Sequence, residues 1–168
     1  MTRVISNHKN DPLEISYQMV DIIMATEELR LKAYKPTPND RFTIGYGTTY
    51  YPNGRAVMPG DTCSKEEAVY YFVSFLAKCE EVVVEKVRVE LNQHQYDALV
   101  SFIYNIGAKE FSESTLLRKL NIGDILGASK EFDRWIYQEG QILPGLVKRR
   151  KHEKQIFLSG NYDYPKVE

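Results

Sequence analysis

Between residues 40 and 58 the hydrophobic period of this chain drops to two, while the chain on either side keeps a helical period. Phe42, Ile44 and Tyr46 alternate with Thr43, Gly45 and Gly47, the pattern of a strand with one buried face. Pro52-Asn53-Gly54 then supplies strong turn chemistry, and residues 55–58 are placed to return as the partner strand. A hairpin or small three-stranded sheet is therefore expected between Asp40 and Met58.

The flanking segments read as helices. Residues 13–28 carry Ile15, Met19, Ile22 and Ile23 at helical spacing, and Pro36 and Pro38 end any helix well before Asn39. After Gly60, Ser64 and Glu67 form a capping box, in which hydroxyl and carboxylate satisfy each other's free backbone N–H groups. Val69, Phe72, Val73, Leu76 and Val83 then predict one long helix to about Lys86. Asn92 with Gln95 opens the next, which buries Tyr96, Leu99, Val100 and Ile103 and stops at Gly107. A short helix is expected over 114–120. Asp124 caps another that turns Ala128, Phe132, Trp135 and Ile136 inward and ends at Gly140. Pro144 starts a last helix through Leu158, with Gly160 behind it. A small sheet set apart from many helices is the α+β class. The long helix is placed to join a small β lobe (about 40–60) to a helical lobe (about 61–160 plus the first helix), with a cleft between. Residues 1–12 read as a polar leader to a single domain over 13–168.

Composition excludes several functions. With 22 Lys/Arg against 23 Asp/Glu, the net charge of -1 carries no field for nucleic acid. Residues 113–154 hold nine Lys/Arg against six Asp/Glu, and 61–112 hold five against nine. The basic C-terminal part suits an anionic polymer, and it equally suits solvated helix faces. No apolar run is long enough to span a bilayer, and the leader lacks the apolar segment of a signal peptide. Cys63 and Cys79 match no zinc or redox spacing, and Cys79 falls where a buried free thiol is expected. No phosphate loop, dinucleotide fingerprint or HExxH is present. His8, His94 and His152 lie far apart, and His94 reads as structural. No metal or organic cofactor is implied.

The chemistry-bearing segment is the run from Thr26 to Tyr34, followed by the glycine-rich strand from Thr43. A helix ends in Glu27 and Glu28, and Gly45 and Gly47 leave backbone open where a polymer could lie. A carboxyl group partly buried at such a junction holds its proton closer to neutrality, as a proton donor must. On physical grounds alone, Glu27 and Glu28 read first as exposed helix-end charges.

EELRLKAY followed by TIGYGTT closely resembles the EGLRLxAY…TIGYG pattern of the phage lysozymes, the muramidase family 24 of glycoside hydrolases. The resemblance continues in order through PGDTCSKEEA, the block from Leu91 to Asn121, EFDRWIY and LPGLVKRRKHE, and covers roughly residues 15–160. It implies a lysozyme-like fold. It also implies an endolysin that hydrolyses the β-1,4 bond between N-acetylmuramic acid and N-acetylglucosamine in bacterial peptidoglycan. Glu27 matches the proton donor, with Glu28 the alternative one position on, and Thr43 matches the threonine that helps hold the attacking water. The chain departs from the pattern at Glu28, where the family has Gly, and at Pro36, where it has a carboxylate or sometimes a cysteine. The segment reaching Thr43 is one residue longer. Asp40 in that rebuilt loop either returns the missing carboxylate or caps the turn into the strand, or Thr43 and backbone alone hold the water. Inversion needs the two carboxyl groups roughly 6.5–9.5 Å apart.

Tyr104, Asn105 and Ser114 match positions near the family's substrate, and Arg149 or Arg150 is expected to support Glu27. Arg134 and Trp135 resemble an Arg-Trp pair, with Trp135 read chiefly as core. Two further readings keep the fold: an impaired peptidoglycan-binding protein, and a lytic transglycosylase that needs no water-activating base. The family also implies a monomer held in the host cytoplasm until a holin opens the route to the wall.

Overall fold

The computed structural model describes residues 13–165, so the leader expected over 1–12 lies outside the described residues. Among the described residues, seven α-helices and four short strands follow one another: α1 Tyr17–Thr26, β1 Arg30–Tyr34, β2 Thr43–Gly45, α2 Lys65–Lys86, α3 Gln93–Ile106, α4 Ala108–Glu113, α5 Thr115–Asn121, α6 Ile125–Glu131, β3 Tyr137–Gln138, β4 Gln141–Ile142 and α7 Pro144–Ser159. The class is α+β, as expected. Packing divides the chain into two units, one of Val20–Lys78 and one of the residues up to Met19 together with those from Cys79 onward.

In the first of these units the sheet is built differently from the expectation. β2 pairs antiparallel not with residues 55–58 but with β1, in a register that sets Arg30 opposite Gly45 and Tyr34 opposite Thr43. The charged residues of the RLKAY strand hide its extended character, because only Ala33 and Tyr34 turn even partly inward. The turn at Pro52-Asn53-Gly54 does close a hairpin, with Tyr51 N–H donating to Arg55 O and Val57 N–H to Thr49 O, both at 2.9 Å. Ile44, Tyr51 and Val57 form the core of this unit, with Ala33, Phe42, Cys63 and Tyr71 packed around them. The capping box at Ser64 and Glu67 is formed in both directions, at 2.7 and 3.0 Å. The buried stripe of α2 runs through Ala68, Phe72, Leu76, Cys79 and Val83, while Val73, expected inward, is half exposed. Burial pushes the Cys79 thiol up to about 12, so it is an inert free thiol.

In the second unit α3 packs along α7, and α5 along α6. Asn92 caps α3 through the expected box with Gln95, and Gly160 closes α7 in the left-handed conformation. Phe102 is the hub: its ring meets Phe132 at 5.0 Å, Trp135 at 5.7 Å and Phe111 at 6.4 Å. His94 is structural, its ring nitrogen bonded to Phe157 O at 3.1 Å. Two expectations need correction here. The helix capped by Asp124 ends at Glu131, passes through one 3-10 turn over Phe132–Arg134, and gives way to the β3–β4 hairpin. Glu139 and Gly140 both take positive φ, the geometry of a two-residue hairpin turn, so Gly140 turns a hairpin rather than ending a helix. Residues 108–113 add a helix that lacked a readable period.

Candidate active site

Ser16 Oγ accepts the N–H of Met19 at 3.2 Å and so starts α1. Thr26 ends it by turning its hydroxyl back onto Ile23 O at 2.7 Å. Glu27 sits just beyond, its N–H on Met24 O at 3.2 Å and its side chain half buried. Glu28 is exposed and holds Arg30 in an ion pair at 2.9 Å. Arg30 lies 5.2 Å over the ring of Tyr34. Burial raises the Tyr34 phenol above its ordinary value; Arg30 opposes this, while Glu28 and Glu27 add to it. Glu27 therefore lies within electrostatic reach of the Tyr34 hydroxyl, and Tyr34 faces Thr43 across the strand pair.

Thr43 is buried and donates its hydroxyl to Arg41 O at 3.2 Å. Asp40 closes a turn with its N–H on Thr37 O at 3.1 Å and is half buried, one turn of loop before Thr43. Pro36, at the position of the family carboxylate, is exposed and offers no side-chain donor or acceptor. Gly45 does not leave backbone open, as was expected. It is buried at φ +64, and a Cβ there would stand 3.2 Å from the Cβ of Ala68 on α2. Gly47, exposed at φ +87, keeps the open backbone.

The remaining candidates belong to the helical unit. Asn105, exposed at the end of α3, accepts the Arg150 guanidinium on its side-chain oxygen, and Tyr104 beside it is half buried. Arg150 is 1% exposed, lies 5.0 Å over Phe102 and stands 2.9 Å from Glu153 Oε2, a charge contact without hydrogen-bond alignment. Arg149 reaches Glu153 at 3.1 Å and Ser101 O at 3.2 Å. Ser114 is buried and uses its hydroxyl twice, donating to Phe111 O at 2.7 Å and accepting Leu117 N–H at 3.1 Å as the cap of α5. Arg134 is largely exposed and pairs with Glu131 at 3.2 Å. Sequence reasoning did not anticipate the Arg150–Asn105 contact, because the two residues lie 45 positions apart and neither local pattern points to the other.

A short antiparallel strand pair that follows a helix ending in an acidic residue, in a chain otherwise mostly helical, is the α+β pattern of the lysozyme-like glycosidases. The model of the phage lysozyme family matches residues 24–153. An endolysin of Acyrthosiphon pisum secondary endosymbiont phage 1 is 40% identical, over 88% of this chain and 99% of that protein. An endolysin of Bacillus phage B103 is 39% identical over 88% of this chain, which spans 55% of that longer protein. Among solved structures, the endolysin of Escherichia coli O157:H7 phage FAHEc1 superposes with a TM-score of 0.78 at 31% identity, covering 92% of this chain and 98% of that one. The chain belongs to the phage lysozyme family.

Proposed function

We propose that this chain is an endolysin that hydrolyses the β-1,4 bond between N-acetylmuramic acid and N-acetylglucosamine in bacterial peptidoglycan. Membership of the phage lysozyme family carries the reading. Glu27 is the proton donor. Its support over Glu28 is local: Glu27 is half buried at the helix–strand junction, whereas Glu28 is exposed and neutralised by Arg30. A donor delivers its proton to the leaving glycosidic oxygen in the transition state, so it must be held in place and partly shielded from water. Asp40 takes the part of the second carboxylate and draws a proton from the attacking water, which Thr43 helps to hold. The protons balance: Glu27 gives one to the leaving sugar oxygen, and the water that adds to the anomeric carbon gives one to Asp40.

Residues 13–168 act as one lysozyme-like domain in which the helical part supplies Tyr104 and Asn105 to the substrate. Arg150 holds the Asn105 oxygen, which leaves the amide N–H groups to donate to sugar oxygens. Arg149 stiffens the same corner through Glu153. Ser114, whose hydroxyl already caps α5, keeps one lone pair for a sugar or peptide N–H. The enzyme works as a monomer and stays in the host cytoplasm until a holin opens the membrane. Among the described residues no helix is long and apolar enough to cross a membrane.

Mass spectrometry of purified peptidoglycan after digestion tests the reading. Reducing muramic ends, absent with Glu27→Gln, are the expected result. Anhydro-muramic ends would replace hydrolysis by transglycosylation, and undigested wall that still binds the protein would leave only a binding role.

A further inference from the structure

The hairpin of the Val20–Lys78 unit and the first turns of α2 line an open polar hollow, of roughly 360 Å³, whose walls include none of Glu27, Asp40 and Thr43. Its walls are Tyr51, Asn53, Arg55, Asp61, Tyr70 and Tyr71. Hydrogen bonds and ring contacts tie the walls together. Tyr51 is buried and donates its hydroxyl to Asp61 at 2.8 Å, and the same carboxylate oxygen takes Met58 N–H at 3.0 Å and the Arg55 guanidinium at 3.2 Å. Arg55 lies 4.5 Å over the Tyr51 ring, and Tyr71 meets that ring edge-on at 5.0 Å. Met58 N–H, Tyr51 and Arg55 hold the Asp61 carboxyl below the usual carboxylate range, and burial with the Asp61 bond pushes the Tyr51 phenol up to about 12. The site therefore keeps one charge state across the physiological range.

Three features define its occupant. The one cation and the one anion of the wall are paired with each other, so a ligand with net charge finds no counter-ion. Tyr70 lines the hollow and is 60% exposed, so an aromatic ring is open to a ligand there. Asn53 turns its side-chain oxygen back onto Arg55 N–H at 3.0 Å, which leaves its amide hydrogens for a ligand oxygen. An uncharged ring with one apolar face and several hydroxyl or carbonyl oxygens meets all three demands, since its apolar face covers an aromatic ring while its oxygens take the donors. The volume lies at the small end of ligand sites and accommodates about one such ring.

We propose that this hollow is an accessory saccharide site that binds an uncharged N-acetylhexosamine residue of a glycan strand. As the source of that sugar the inference rests on the peptidoglycan reading above. A site of this kind holds the enzyme on an insoluble polymer between cuts, because a second contact on the same strand acts at high effective concentration.

Isotope-labelled full-length Glu27→Gln chain, titrated with the N-acetylglucosamine trimer and followed by NMR, tests the site. The amides of Asn53, Arg55, Tyr70 and Tyr71 are expected to shift in a saturable way. Tyr70→Ala should raise the dissociation constant read at these amides about tenfold, and Tyr17→Ala, which removes a tyrosine outside the hollow, should not change it. Shifts confined to the neighbours of Glu27 and Thr43, or an unchanged constant in Tyr70→Ala, overturn the accessory site and leave the proposed reaction standing. A hollow that binds the trimer while wild-type protein leaves peptidoglycan uncut overturns the reaction and keeps the site. Shifts in the hollow with an acidic peptide but none with the trimer overturn the sugar assignment.

Discussion

Tyr162 donates its hydroxyl to Asp97 at 2.6 Å, across 65 positions of sequence. The same buried carboxyl group takes the Ser16 hydroxyl at 2.5 Å, the Ser16 N–H at 2.9 Å and the Gln93 amide at 2.9 Å. One side chain of α3 thus ties down the segment entering α1 and the segment leaving α7. Hydrogen bonds to a buried carboxylate contribute about 1.5–3 kcal/mol each. Tyr162→Phe should lower unfolding stability by about 1–2 kcal/mol, and Asp97→Ala, which strands several donors, by about 3 kcal/mol or more. Urea unfolding measures both. A midpoint unmoved by Asp97→Ala would show that the segments at Ser16 and Tyr162 are not held this way.

Glu27→Gln should reduce cleavage of peptidoglycan by roughly 10²–10⁴-fold, the range general-acid catalysis contributes. Its melting temperature should stay near that of the wild type, since the side chain is only half buried. Asp40→Asn should cost a similar factor. If Asp40→Asn turns over as the wild type does, Asp40 is a turn residue alone, and Thr43→Val becomes the informative substitution.

Gly45→Ala introduces a side chain at φ +64, with its Cβ 3.2 Å from that of Ala68. Backbone strain and crowding together should cost about 1–3 kcal/mol. Gly54→Ala, also at positive φ but with nothing within 4 Å, isolates the backbone component. Equal losses in the two variants would show that Ala68 yields without penalty.

Glu131 accepts Lys119 at 2.6 Å and Arg134 at 3.2 Å, and these bonds, led by that from Lys119, hold its carboxyl below the ordinary value of 4.5. A depressed folded-state value stabilises the protein above the unfolded value and is lost as pH falls through the folded one. The contribution should thus be complete well above pH 4.5 and fade as pH falls from 4.5 through the lower folded-state value. Melting curves of wild type and Glu131→Gln between pH 7 and pH 3 should converge toward the acid end. Parallel curves would remove Glu131 from the acid response.

Local chemistry made much of the helical architecture readable. Capping boxes at Ser64–Glu67 and Asn92–Gln95, Pro144 at a helix start and Gly160 past a helix end act within a few residues, so their signals survive in the linear chain. β1 did not announce itself, because it is short and mostly exposed and its partner lies beyond a proline-rich loop. The β3–β4 hairpin was likewise masked by apolar spacing through Trp135 and Ile136 that fits a helix equally well.

Glu27 and Thr43, the proposed acid and its partner, stand out in the sequence as parts of a motif, since residue order and spacing along one segment carry that information. Which atoms meet was settled only by the folded chain. The strand register places Tyr34 opposite Thr43, α2 crowds any side chain at residue 45, Arg150 turns the Asn105 amide, and Asp97 gathers Ser16 and Tyr162. These contacts join residues from nine to more than sixty positions apart, and their strength depends on distance and burial, which residue order alone does not encode.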